Sequence, residues 1–238
     1  MVIVLEGKKL CCAVGAALLA CALLAMYFCP ASEPIQTSAS VQSSSCVWII
    51  DAGHGGEDGG AVAADGTKES EINLAVARRV EALLRFLGER TRMTRTTDAS
   101  IHSPEASSLR QKKRSDLENR VAIVNETQNA VLVSIHQNSL PSSRQTHGAQ
   151  VFFGRVEPGE LLAESIQKAL NISCNAGNEK RKKMIDASIF LLKNVTAPAI
   201  LIECGFLSNA EETQLLKTEA YQQKLAVTIA AGLMNTDR

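Results

Sequence analysis

Apolar and polar positions alternate between two periods along this chain, and the alternation predicts its elements. Residues 47–51 are a short apolar run bounded by an acid, the pattern of a buried strand. Residues 69–87 carry Ile72, Val76, Val80, Leu83, Leu84 and Leu87 on one helical face, and Gly88 predicts the stop. A strand is expected over 90–95 and a polar loop with Pro104 over 97–115. A helix is expected over 116–126 through Leu117, Val121 and Val124. Residues 130–136 form the clearest strand pattern, followed by a strand over 148–153 and a helix over 160–171. A short apolar piece at 189–192 precedes a buried strand at 198–203. Ser208-Asn-Ala-Glu211 reads as a capping box opening a helix, and the last helix carries Tyr221, Leu225, Ile229 and Leu233 as a stripe.

Buried strands alternating with helices predict an α/β fold: a three-layer sandwich with a largely parallel mixed sheet flanked by helices. Ligands in such sheets bind beyond the carboxyl ends of strands. His54, His136 and Glu203 each fall at that end of a predicted strand.

The first 45 residues are a different material. Residues 10–29 contain no charge and follow Lys8 and Lys9, within a basic n-region at 1–9. The length suits a bilayer span, and the flank predicts a cytoplasmic amino terminus with the remainder exported. A transmembrane anchor is favoured, with a cleaved signal peptide as the alternative. A lipoprotein box at Cys21 fits less well, because the apolar run continues past it. Residues 30–45 are small and polar and read as a flexible linker, which leaves 46–238 as one domain.

Charge and cysteine content remove several classes. The domain holds 23 acidic and 23 basic side chains, without the basic excess of a nucleic-acid binder. The runs Arg110-Gln-Lys-Lys-Arg114 and Lys180-Arg-Lys-Lys183 read as solvated faces. Of seven cysteines, Cys11, Cys12, Cys21 and Cys29 lie in the apolar run. Cys46, Cys174 and Cys204 are too few and too widely spaced for a disulfide framework or a CxxC zinc site. Cys204 reads as a buried small hydrophobe. The glycine-rich segment 53–60 lacks the Lys-Ser/Thr of a phosphate-binding loop, and there is no Gly-x-Ser-x-Gly elbow.

Glu69 extends the apolar stripe of its helix towards the sheet, where an unpaired carboxylate is costly. A metal would relieve it. His54, Glu69 and His136 make the His₂Glu set of a catalytic zinc site with a position left for water, and Glu203 would then be the general base. Each residue also has an ordinary reading: a hydrogen-bonded strand-end histidine, or a helix-start acid favoured by the macrodipole. Glu203 resists that treatment, since glutamate is rarely buried without a partner. On the residues alone, both readings stand.

Four motifs occur in order from about Val47 to the carboxyl terminus: Asp51-Ala-Gly-His-Gly-Gly56, Glu69-Ser-Glu-Ile-Asn-Leu74, Ser134-Ile-His-Gln-Asn138 and Glu203-Cys-Gly-Phe-Leu-Ser-Asn209. Together with Thr94-Arg-Thr-Thr-Asp98 and Leu117-Glu-Asn-Arg120, they resemble the zinc-dependent N-acetylmuramoyl-L-alanine amidases (amidase type 3) of bacterial cell walls. The resemblance implies zinc on His54, Glu69 and His136, catalysis by Glu203, and peptidoglycan as substrate. It also implies action outside the cytoplasm, with the membrane engaged through the amino-terminal segment. An activating protein partner is left open. Cys204 departs from the more usual Val or Thr. His102 has no counterpart and is expected at the surface. His147 is expected on a solvated loop near the cleft, and Asn138 is a candidate for orienting substrate. The chain most resembles the germination-specific spore-cortex subgroup. Its eleven residues between His136 and Gly148 are too few for the inhibitory helix of some division amidases. The rival functions are another zinc-dependent wall peptidase or deacetylase, and a non-catalytic tethered wall-binding protein.

Overall fold

The computed structural model describes residues 46–185 and 189–236. The predicted anchor at 10–29 and linker at 30–45 lie outside the described residues. Among those described, no helix is long and apolar enough to cross a membrane.

Six strands form one sheet: β1 (Val47–Ala52), β2 (Arg90–Met93), β3 (Ala130–Asn138), β4 (Gln150–Phe153), β5 (Lys183–Met184) and β6 (Ala199–Phe206). Their order is β2-β1-β3-β6-β4-β5. β2, β1, β3 and β6 are mutually parallel, while β4 runs antiparallel to β6 and pairs in parallel with β5. The expected mixed, mainly parallel sheet is therefore present.

Strand alternation divides the core into two layers. Trp48, Ile50, Val133, Ile135, Ile200, Ile202 and Cys204 face the larger one. It is completed by α1 (Glu69–Phe86), α3 (Gly159–Ser173) and α6 (Glu219–Met234) through residues such as Val76, Val80, Ile166, Leu225 and Ile229. Val47, Ile49, Leu132, Ala199 and Leu201 face the smaller layer, closed by α2 (Leu109–Asn125) and α4 (Phe190–Asn194). That parity sends Asp51, His136 and Glu203 to the opposite side of the sheet from their apolar neighbours in the larger core.

The structure corrects several sequence expectations. The loop expected over 97–115 ends at Ser108, whose hydroxyl accepts from Gln111 N while the Gln111 side chain accepts from Ser108 N. This capping box starts α2 at Leu109, seven residues before the expected start at 116. The basic run 110–114 lies in that added length, where Lys112, Lys113 and Arg114 pair with Glu57, Asp58 and Glu118. The box expected at Ser208 is replaced by Asn209, which accepts from Glu212 N and opens α5 (Ala210–Leu216). The Ser208 hydroxyl instead accepts from Leu140 N. His102 is half-buried rather than on the surface. Cys204 is fully buried, as its apolar context implied.

Candidate active site

β1 delivers its chain to the site by a turn that begins at Gly53. A Cβ at Gly53 would lie 2.3 Å from the His136 ring, so only glycine lets the two segments approach this closely. The next residue, His54, has φ +60°, a left-handed conformation costing roughly 1–2 kcal/mol for a residue with a side chain. Its imidazole is directed back over the sheet edge. At the far end of the loop, a Cβ on Gly60 would meet Glu69 Oε2 at 2.5 Å. The loop thus closes directly onto the start of α1.

Glu69 is the centre of the arrangement and is 4% exposed. Its Oε1 lies 2.8 Å from His136 Nδ1 and its Oε2 lies 3.3 Å from His54 Nε2. The carboxylate also accepts from Ala61 N (2.9 Å), Gln137 N (3.1 Å) and Asn73 Nδ2 (3.1 Å). One potential ligand atom from each of His54, Glu69 and His136 lies within 4.8 Å of the other two. The two imidazoles meet edge to face, with centroids 5.1 Å apart. His54 Nδ1 donates to Asp58 Oδ2 at 2.9 Å, which leaves Nε2 for the centre.

The carboxylates of Asp58 and Glu69 dominate the electrostatics of the centre. Burial raises the Glu69 carboxyl, but the His136 and His54 rings outweigh it and hold it well below the ordinary carboxylate range. Burial also disfavours a charged His54, yet Asp58 and Glu69 lift its pKa to about 9. With the His54 Nε2 proton released on binding, two imidazole nitrogens and one ionised carboxylate fit a four-coordinate divalent metal of borderline softness, with one position left open.

Glu203 approaches from β6. It is the register partner of His136 on β3 and of Gln150 on β4. Although the residue is only half-buried, its Oε2 is sealed from solvent and has no hydrogen-bond partner. Burial, reinforced by the Glu69 charge and opposed by both histidines, pushes its pKa up to about 7. The four predicted residues are therefore gathered at one sheet edge.

Other candidates lie apart from this centre. Asn138 accepts from its neighbour Ser139 N. His147 is exposed, on the rim of a cavity of about 650 Å³. That cavity lies between the 62–65 turn, the 139–147 loop and the start of α5, with Arg144, Leu207 and Glu211 in its wall. Sequence reasoning missed Asp58, Asn73 and Gln137, which hold the centre from outside. A carboxylate four residues after His54 was the only available signal for Asp58.

The family model for N-acetylmuramoyl-L-alanine amidase matches residues 49–235. The chain belongs to the N-acetylmuramoyl-L-alanine amidase family. It is thus a peptidoglycan amidase. The germination-specific N-acetylmuramoyl-L-alanine amidase of Bacillus subtilis (strain 168) is 35% identical over 195 residues, covering 82% of this chain and 81% of the relative. Among solved structures, the CwlD amidase of Clostridioides difficile, determined in complex with the GerS lipoprotein, is 36% identical. It superposes with a TM-score of 0.76 over 80% of this chain and 98% of that one. The amidase AmiC2 of Nostoc punctiforme is 28% identical with a TM-score of 0.65, over 81% and 97% of the two chains.

Proposed function

We propose that His54, Glu69 and His136 hold a zinc ion, and that Glu203 is the general base for hydrolysis of the amide between the lactyl group of N-acetylmuramic acid and L-alanine of the stem peptide. The observation that carries this reading is the Glu203 carboxylate. Its Oε2 is shut off from solvent and lacks a partner, and burial pushes its pKa up to about 7, where a base can both take and return a proton. When bound, zinc supplies a Lewis acid that polarises the scissile carbonyl and acidifies a water. Glu203 accepts the proton of the attacking water and delivers it to the departing alanine nitrogen. Asp58 keeps the His54 ring oriented, and Asn73 and the Gln137 amide keep Glu69 ionised and fixed.

The similarity to the germination-specific relative supports action on spore-cortex peptidoglycan, outside the cytoplasm. The solved complex of CwlD with a lipoprotein supports a protein partner for this chain as well. The uncharged run at 10–29 behind Lys8 and Lys9 supports tethering of the 46–238 domain to the membrane through the 30–45 linker.

Incubation with purified peptidoglycan, with and without chelator, tests the reaction. Mass analysis should find stem peptides with free L-alanine amino termini and glycan that retains its N-acetyl groups, and zinc should restore the chelated sample. Deacetylated glycan, or cuts inside the stem peptide, would replace this reading with the rival hydrolases.

A further inference from the structure

β1 leaves its neighbour before it reaches the site. Pairing with β2 ends at Ile50 opposite Met93, with Thr94 N donating to Ile50 O just beyond. The carbonyls of Ala52, Gly53 and His54 therefore have no β2 strand to accept from, and buried carbonyls need donors. Two guanidinium groups take that place. Arg95 donates from Nε to Ala52 O (2.8 Å) and from Nη2 to Gly53 O (3.0 Å) and Ser70 O (2.8 Å). Arg120 donates from Nη1 to Ala52 O (2.8 Å) and from Nη2 to His54 O (2.7 Å). Both side chains are buried, at 4% and 1% exposure.

Their charges are handled unequally. Arg120 is neutralised by Asp51 and Asp116. Asp51 in turn accepts from Thr94 and Ser134, and Asp116 from Ser100 and the Ile101 amide. The hydrogen bonds of Arg95 go to four backbone carbonyls, the fourth being Thr97 O. A buried cation spent on carbonyls is costly unless it fixes something. Two of the four, Ala52 O and Gly53 O, lead directly into the turn that holds His54 at φ +60°, and the other two tie that turn to α1 and to the chain after β2. Strained backbone of this kind persists where its surroundings over-determine it. Asn73 ties the two halves of the site together, donating to Gly53 O (3.1 Å) and to Glu69 Oε1.

We propose that Arg95 and Arg120 are positioning residues, a guanidinium clamp on the Ala52–Gly53–His54 carbonyls that imposes the left-handed turn and presets His54 for metal before metal arrives. The inference rests on the metal-centre reading above. It gives a role to the two sequence motifs, around Arg95 and Arg120, that contribute no side chain to the centre itself.

Zinc affinity of the full chain, measured by competition with a chromophoric chelator, is the first test. Lysine keeps the charge but cannot bridge two carbonyls with a planar fork. Arg95→Lys and Arg120→Lys should each weaken zinc binding about 10–100-fold, the scale of an outer-sphere metal partner. Leu84→Ala, a core change at the far end of α1, should destabilise the fold while leaving zinc affinity unchanged. Variants that bind zinc as tightly as the parent, or an equal loss in Leu84→Ala, would show the arginines to be merely structural and overturn the clamp. A parent chain that binds no zinc would instead overturn the metal reading, and the clamp with it.

The second test needs no substitution. Hydrogen exchange on the parent with zinc chelated should leave the Gly53 and Gly55 amides as protected as in the loaded protein. Loss of protection confined to this turn on chelation would overturn presetting.

Discussion

The start of α1 and the carboxyl half of β6 each place a glutamate at the same sheet edge and treat it in opposite ways. Glu69 is surrounded by donors from His54, His136, Ala61, Asn73 and Gln137. Glu203 has an oxygen that nothing satisfies. The first is held well below the ordinary carboxylate range and the second is raised to about 7. One residue type thus serves two purposes, set by environment: a fixed anion to hold a cation, and a carboxylate that still wants a proton.

The largest effect should come from removing the starved carboxylate. Glu203→Ala is expected to cut turnover by about 10²–10⁴-fold, the usual contribution of a positioned base, with zinc content intact. Glu69→Ala should remove zinc and activity together. Metal analysis beside a muropeptide assay separates the two outcomes. Full turnover in Glu203→Ala would break the comparison at its functional end.

Stability should show the same contrast with opposite pH windows. The folded pKa of Glu203 lies above its unfolded value, so its protonation stabilises the fold fully below about pH 4.5, and that contribution is lost as pH rises through about 7. Ionised Glu203 then costs up to about 3 kcal/mol at pH 8. In chelated protein, Glu203→Gln should therefore be more stable than the parent at pH 8 and close to it at pH 4. Glu69 works the other way, stabilising above about pH 4.5 and losing that contribution as pH falls. Asp51 does the same: burial raises it, but Arg120, with Ser134, His136 and Thr94, holds it at about 2, so its contribution is lost between about pH 4 and 2. Urea titrations across this range decide the matter. A Glu203→Gln variant less stable than the parent at pH 8 would mean the carboxylate is satisfied after all.

The contrast between the two glutamates was partly visible in the sequence. Strand periodicity placed His54, His136 and Glu203 at carboxyl ends, because a parallel sheet aligns those ends wherever the strands fall. Glu69 was legible because it continued an apolar stripe, where a charge is out of place. Asp58, Asn73 and Gln137 were not, since hydrogen bonds between distant segments leave no periodic trace. The antiparallel course of β4 was equally hidden, because its direction depends on the return path of the chain and not on its side-chain pattern. The early start of α2 escaped for a local reason: its first turns are charged and exposed, and a capping box holds them without an apolar face.

The smallest effect concerns the residue next to Glu203. Cys204 sits in the larger core with Ile200 and Ile202, fully buried, and burial pushes its thiol pKa up. Strand alternation points it away from the face that carries Glu203, so adjacency in sequence is not adjacency in chemistry. Valine is apolar and larger by about one methyl group, a change that costs on the order of 1 kcal/mol in a packed core. Cys204→Val should therefore shift the unfolding midpoint only slightly and leave the muropeptide turnover and its pH profile where they were. A displaced pH profile with unchanged stability would show that the environment of Glu203 extends through the strand to the other face. The raised pKa would then belong to β6 as a whole, and not to one starved oxygen.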